Sequence, residues 1–224
     1  MPVNQKAFEA LKAALGPAQV ALVAVSKTKP ATEIRELYDL GQLDFGENYV
    51  QELVSKQPLL PSEIRWHFIG HLQSNKVKFI APFVHLIHGV DSSKLLREID
   101  KQAQKAGRII RCLLQVHIAT EESKFGFDEE ELSLLMQELQ NNQSVLSHVK
   151  VLSHVKVCGL MGMASFSNDE ALVRKEFSHL KSIFDRYANE EFNILSMGMS
   201  GDYRIAISEG SNMVRIGSLL FGSR

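Results

Sequence analysis

One lysine stands directly after an apolar run and just before a proline: residues 20–26 read VALVAVS, and Lys27-Thr28-Lys29-Pro30 follow. If the run is a buried strand, alternation puts Lys27 on the face of Val25 and turns Ser26 the other way. An amine at the rim of a dry core is pushed toward its neutral, nucleophilic form. Such an amine condenses with an aldehyde as a Schiff base. On position alone Lys27 fits a solvated loop lysine better, since lysines are mostly exposed.

Two later turns shift that balance. Gly198-Met199-Ser200-Gly201-Asp202 and Arg215-Ile216-Gly217-Ser218 each place small residues, hydroxyls and backbone N–H groups at a helix start. That is the chemistry that cradles a dianionic phosphate. Either turn alone reads as an ordinary glycine turn. An aldehyde-reactive amine beside a phosphate cup suits pyridoxal phosphate.

These groups meet only if the chain builds the right frame. Short β-branched runs at 20–26, 43–46, 65–70, 85–90, 109–118, 155–164, 193–197 and 213–216 alternate with segments of helical period. Ile34, Leu37 and Tyr38 mark a helix closed by Gly41, and Leu95, Leu96, Ile99 and Ala103 mark one ended by Gly107. Leu132, Leu135, Met136 and Leu139 follow a capping box of Asp128 and Glu131. Val173, Phe177, Leu180, Phe184 and Tyr187 form the longest apolar stripe, a core-facing one. Alternation of this kind needs parallel pairing, and nearly continuous apolar strands are expected when both faces are buried. The expected fold is α/β, a single (β/α)8 TIM-type barrel spanning 1–224, with an open doubly wound sheet second. In a closed barrel strand eight returns beside strand one, bringing both glycine turns to Lys27.

Composition narrows the classes. The chain has 224 residues, 45% of them hydrophobic and 23% charged, which excludes a disordered or fibrous protein. Lys plus Arg number 25 against 26 Asp plus Glu, so the basic excess of a nucleic-acid binder is missing. Cys112 and Cys158 lack CxxC spacing, so neither a disulfide framework nor a zinc site is indicated. No apolar stretch reaches the roughly 18 residues of a membrane helix, and the N-terminus lacks a signal-peptide core. The expectation is a soluble, cytoplasmic protein.

Seven segments carry a specific resemblance: AVSKTKP (24–30), FGENYVQE (45–52), WHFIGHLQSNK (66–76), SKFGF (123–127), GLMGM (159–163), SMGMSGD (196–202) and MVRIGSLLFG (213–222). Together they resemble the pyridoxal phosphate homeostasis protein family, also called YggS or proline synthase co-transcribed. The resemblance implies an alanine-racemase-like barrel of the type III pyridoxal phosphate fold, without that fold's C-terminal β-domain. It implies that Lys27 holds the cofactor, that Asn48 lies near its ring, and that His67 lines the same mouth. Ser200, Gly217 and Ser218 would bind the phosphate, and Arg215 would face the pyridine nitrogen. A guanidinium cannot accept a proton, so it disfavours a pyridinium and weakens the ring as an electron sink.

Each of these residues also has a plainer role open to it. His67 could be a satisfied core histidine, Asn48 could cap the next helix, Trp66 reads as a core anchor, and Arg215 could pair with Asp202. Lys29, Lys76 and Lys124 read as solvated. Two departures stand out: VLSHVK occurs at 145–150 and again at 151–156, with His148 and His154 read as loop groups, and Arg204 stands where an acidic or neutral residue is expected. The functional expectation is a non-catalytic pyridoxal phosphate carrier, a monomer that buffers the cofactor and delivers it to apo-enzymes. The alternative is an amino-acid racemase, which needs a second proton-transfer group on the opposite ligand face; of the four tyrosines, Tyr49 and Tyr203 come nearest to qualifying. A barrel for another phosphorylated ligand is a weaker third reading.

Overall fold

The computed structural model describes residues 3–120, 125–141 and 152–222. Ser123, Lys124 and the first VLSHVK copy with His148 lie outside the described residues. In chain order the elements are α1 (Gln5–Leu15), β1 (Ala21–Val25), α2 (Ala31–Asp39), β2 (Asp44–Glu47), α3 (Val50–Lys56), β3 (Arg65–Phe68), α4 (Val77–Ile80) and β4 (Leu86–Val90). They continue as α5 (Ser93–Lys105), β5 (Ile110–Gln115), α6 (Glu129–Asn141), β6 (Val155–Met161), α7 (Glu170–Asp185), β7 (Ile194–Ser196), α8 (Tyr203–Ser208), β8 (Met213–Ile216) and α9 (Ser218–Phe221).

All eight strands pair in parallel and in sequence order, and β8 returns to β1 with Val23 opposite Arg215, so the barrel is closed. The doubly wound alternative is thereby set aside. The second VLSHVK copy supplies Val155 and Lys156 to the start of β6, and His154 sits in the loop before it. α1 carries no reading in the sequence, although Phe8, Leu11 and Leu15 bury one face of it at helical spacing.

Strand alternation sorts the side chains into two layers. Outward residues such as Leu22, Phe45, Trp66 and Phe68 join the main core beneath the helices, each worth about 1.5–3 kcal/mol on burial. Trp66 is the anchor expected, its ring 6.2 Å from that of Phe45. Inward residues Val23, Leu86, Leu113, Cys158, Met161, Ile194 and Met213 fill the barrel itself. Helix starts are fixed locally: Asp128 and Glu131 close the capping box through Glu131 N–H to Asp128 Oδ1 at 2.8 Å, and Asp169 Oδ1 accepts from Ala171 and Leu172 at the start of α7. Gly159 kinks β6 at φ +150°, where a Cβ would fall 1.8 Å from Ile194 O, so no other residue allows this strand contact.

Candidate functional site

At the carboxyl ends of the strands lies a cavity of about 470 Å³, within the range that holds a small cofactor. Lys27, Asn48, Ser200, Arg215, Gly217 and Ser218 all line it, together with Val25, Ile69, Met163, Phe166 and Lys29. Six of the seven residues singled out in the sequence are thus brought together from β1, β2, β7 and β8. The closed barrel is what makes residues so distant in sequence neighbours.

Lys27 is set by the turn that carries it. Ser26 points away from the cavity, as alternation requires, and its Oγ donates to Glu47 Oε1 at 2.7 Å. Lys56, buried behind this turn, donates to Ser26 O at 2.9 Å, to Glu47 Oε1 at 2.7 Å and to Glu52 Oε1 at 2.6 Å. Glu52 also accepts from Thr28 N–H at 2.6 Å. Thr28 has φ +66°, an uncommon conformation for a β-branched residue, so this strut holds a strained backbone in place next to Lys27. Burial pushes the Glu47 carboxyl upward, and the Lys56 ammonium only partly opposes it. Neither Glu47 nor Lys56 stood out in the sequence. Lys29, expected to be solvated, is half-buried at the cavity edge and donates to Phe221 O at 2.6 Å. That bond ties the β1 loop to α9.

Asn48 is placed by close backbone contact. A Cβ on Gly70 would come 2.3 Å from Asn48 O, so only glycine lets the loop after β3 rest against it. Asn48 Oδ1 is buried without a hydrogen-bond partner. A buried acceptor left unmade costs about 1–3 kcal/mol, which marks it as a group waiting for a donor.

On the opposite side, Ser200 Oγ accepts from Gly217 N–H at 3.2 Å and links the two glycine turns. Leu220 and Phe221 N–H both return to Gly217 O, so the first-turn N–H groups of Ser218 and Leu219 point beyond the helix. Arg215 is buried and fixed by bonds from Nη1 to Ser196 O (2.9 Å) and Oγ (2.6 Å) and from Nη2 to Gly162 O (3.1 Å). Burial pulls its pKa down to about 10, with Asp202 opposing, so it stays cationic at neutral pH. The suggested Arg215–Asp202 pair does not form; Asp202 Oδ1 instead accepts from Met199 N–H at 2.6 Å. Arg204 turns to the Tyr203 hydroxyl at 3.2 Å, and the cavity lining does not include it.

His67 corrects an expectation. It does not line the cavity: β3 pairs it with Gly46 and Leu86, deep in the barrel, and Ile69 two residues on takes the mouth position. Its ring nitrogens lie 2.9 Å from Asp44 Oδ1 and 2.9 Å from His88 Nε2. It is the satisfied core histidine. Tyr49 and Tyr203 likewise stay out of the lining.

Comparison with known proteins is consistent with this geometry. The family model for the alanine racemase N-terminal domain matches residues 5–224. The chain is 40% identical to the pyridoxal phosphate homeostasis protein of Aquifex aeolicus, over 98% of this chain and 93% of the relative. It is 37% identical to the protein of that name from Schizosaccharomyces pombe, over 92% and 84%. Among solved structures, PipY of Synechococcus elongatus with pyridoxal phosphate bound superposes with a TM-score of 0.84 at 34% identity, over 97% of this chain and 99% of that one. Alanine racemase from Bartonella henselae shares the fold at TM-score 0.72 and 17% identity, this chain spanning 56% of its length. No helix among the described residues is long and apolar enough to cross a membrane.

Proposed function

The chain belongs to the pyridoxal phosphate homeostasis protein family, and from that premise we propose that it holds pyridoxal phosphate in the mouth of the barrel and serves to store and hand on the cofactor. Residues 1–224 act as one such domain in this reading. The observation that carries it is the convergence of Lys27, the unpartnered Asn48 Oδ1 and the Ser200–Gly217–Ser218 turns on one cavity of about 470 Å³. Lys27 would hold the aldehyde carbon, since a lysine amine condenses reversibly with an aldehyde and releases water. Ser200 and the N–H groups of Ser218 and Leu219 would receive the phosphate, and Asn48 would meet a donor near the ring. Lys29 donates to Phe221 O, which ties it to the cavity edge.

The resident group supplies an electron sink for carbanions at amino-acid substrates when its ring nitrogen is protonated. Arg215 works against that by presenting only donors to the ring nitrogen. Racemisation also needs proton-transfer groups on both ligand faces. Among the described residues, the titratable groups lining the cavity are Lys27, Lys29 and Arg215; Lys29 is tied to Phe221 O and Arg215 to Ser196 O. This supports a carrier over an amino-acid enzyme. The cytoplasm as its site of action, a monomeric state and apo-enzymes as recipients belong to the same proposal.

The test is direct. Purified protein mixed with pyridoxal phosphate should become yellow, and Lys27→Ala should stay colourless after dialysis. The loaded protein, given each L-amino acid in turn, should form no D-isomer or keto acid. Turnover of about one per second or faster would overturn the carrier reading.

A further inference from the structure

Below the cavity, inside the barrel, polar groups from five strands stand in single file and join two ends of opposite charge. Arg215 Nη1 donates to Ser196 Oγ at 2.6 Å, and Ser196 Oγ lies 3.2 Å from His88 Nδ1. His88 Nε2 lies 2.9 Å from His67 Nδ1, and His67 Nε2 lies 2.9 Å from Asp44 Oδ1. His67, His88, Ser196 and Arg215 are all buried, so water cannot substitute for a missing partner.

The two ends decide which way the hydrogens run. A guanidinium can only donate and an ionised carboxylate can only accept. Burial raises Asp44, but its bonds from His67 and Arg65 overcome that and hold it well below the usual carboxylate range. His67 Nε2 therefore carries a hydrogen. Burial keeps both imidazoles neutral; cations at Arg65 and Arg111 near His67, and at Arg215 near His88, add to the effect against the opposing pull of Asp44. A neutral imidazole has one N–H, so His67 Nδ1 accepts and His88 Nε2 donates. His88 Nδ1 then accepts in turn, and the Ser196 hydroxyl is its donor.

We propose that Ser196, His88, His67 and Asp44 form a one-way hydrogen-bonded chain that holds the Arg215 guanidinium at the cavity floor, with both imidazoles as Nε2–H tautomers. They are positioning residues; none of the four lines the cavity. Bonds to Ser196 and Gly162 engage three of the five N–H groups of Arg215, leaving two for a ligand. Without Ser196 Oγ the guanidinium could pivot, and the ring nitrogen it faces would see a different field. That last step rests on the reading of the cavity as a pyridoxal phosphate site; the chain itself does not.

The experiment has two arms. In protein free of cofactor, ¹⁵N spectra of labelled histidine should show His67 and His88 each with a protonated Nε2 and a bare Nδ1 at neutral pH. A proton on His88 Nδ1, or an imidazolium at either position, would overturn the chain, because the file would then be reversed or broken. In the second arm Ser196→Ala should weaken pyridoxal phosphate binding about tenfold and shift the visible band of the bound cofactor. Ser196→Thr, which restores the hydroxyl, should return both. An unshifted band in Ser196→Ala would remove the positioning role. Correct tautomers in a protein that never turns yellow would sink the cofactor reading and leave the chain standing.

Discussion

The inside of this barrel has two halves that treat polar groups in opposite ways. In the depth, both ring nitrogens of His67 and of His88 have a partner, and Asp44 and Arg215 close the two ends. At the mouth, Asn48 Oδ1 is buried and unmatched, Thr28 sits at positive φ, and two glycine turns line a void. A folded chain tolerates unmet polar groups where a ligand completes them and avoids them elsewhere. The satisfied half builds the barrel, and the unsatisfied half has the character of a binding site. The same contrast separates the histidines: polar residues deep in the barrel are structural even when their type suggests chemistry.

Substitutions in the two halves should therefore divide into losses of stability and losses of ligand. The largest stability loss is expected behind the lysine turn, where Lys56→Met leaves the Glu47 carboxylate buried with no cation. Urea unfolding should show about 3–5 kcal/mol lost. Adding Glu47→Gln should recover part of it, because the stranded charge is gone. If Lys56→Met were as stable as the parent, the strut would not be holding the turn.

In the deep half, Asp44→Ala strands the His67 Nε2–H, and the expected loss is about 1–3 kcal/mol with the cavity residues intact. Ser200→Ala at the mouth should reverse that pattern. It should cost under about 1 kcal/mol of stability yet weaken pyridoxal phosphate about tenfold, as followed by spectral titration. Equal effects on both measurements in both variants would erase the distinction between the halves.

Acid should act on the deep half first. His85, whose ring centroid lies 5.5 Å from that of His67, is pulled down to about 4 by burial and by the neighbouring His67 and Arg111. Unfolded, it takes up its proton near 6.5, so between those values the unfolded chain binds more protons. Stability is thus complete above about 6.5 and lost as pH falls toward 4, with His67 and His88 acting in the same sense. Glu47 acts the other way: its raised value favours the fold in acid and that contribution fades as pH rises, which blunts the slope. Urea midpoints at pH 7.5 and 5 should show the net acid loss, and His85→Asn should flatten it slightly.

How much of this could be read in the sequence follows from the physics of each signal. Apolar runs and helical periods are local, so all eight strands and the barrel order were legible, as was the pairing of Lys27 with the inward face of Val25. The two glycine turns that line the cavity were legible because glycine and hydroxyl residues have few other reasons to cluster after two successive strands. Depth along the barrel axis was not. It depends on the stagger between neighbouring strands, which no single strand records; hence nothing in the strand itself decides between the mouth position that the resemblance implies for His67 and the core position it takes, with Ile69 at the mouth. Glu47 and Lys56 escaped notice because nine residues of sequence gave no hint that a turn and a helix would bury the pair together.

The central claim is that one amine at the mouth carries the cofactor. Protein loaded with pyridoxal phosphate should be reduced with borohydride, digested, and its peptides weighed. The account predicts a single phosphopyridoxyl label, on Lys27. A label on Lys29 or any other lysine, or none at all, would contradict it.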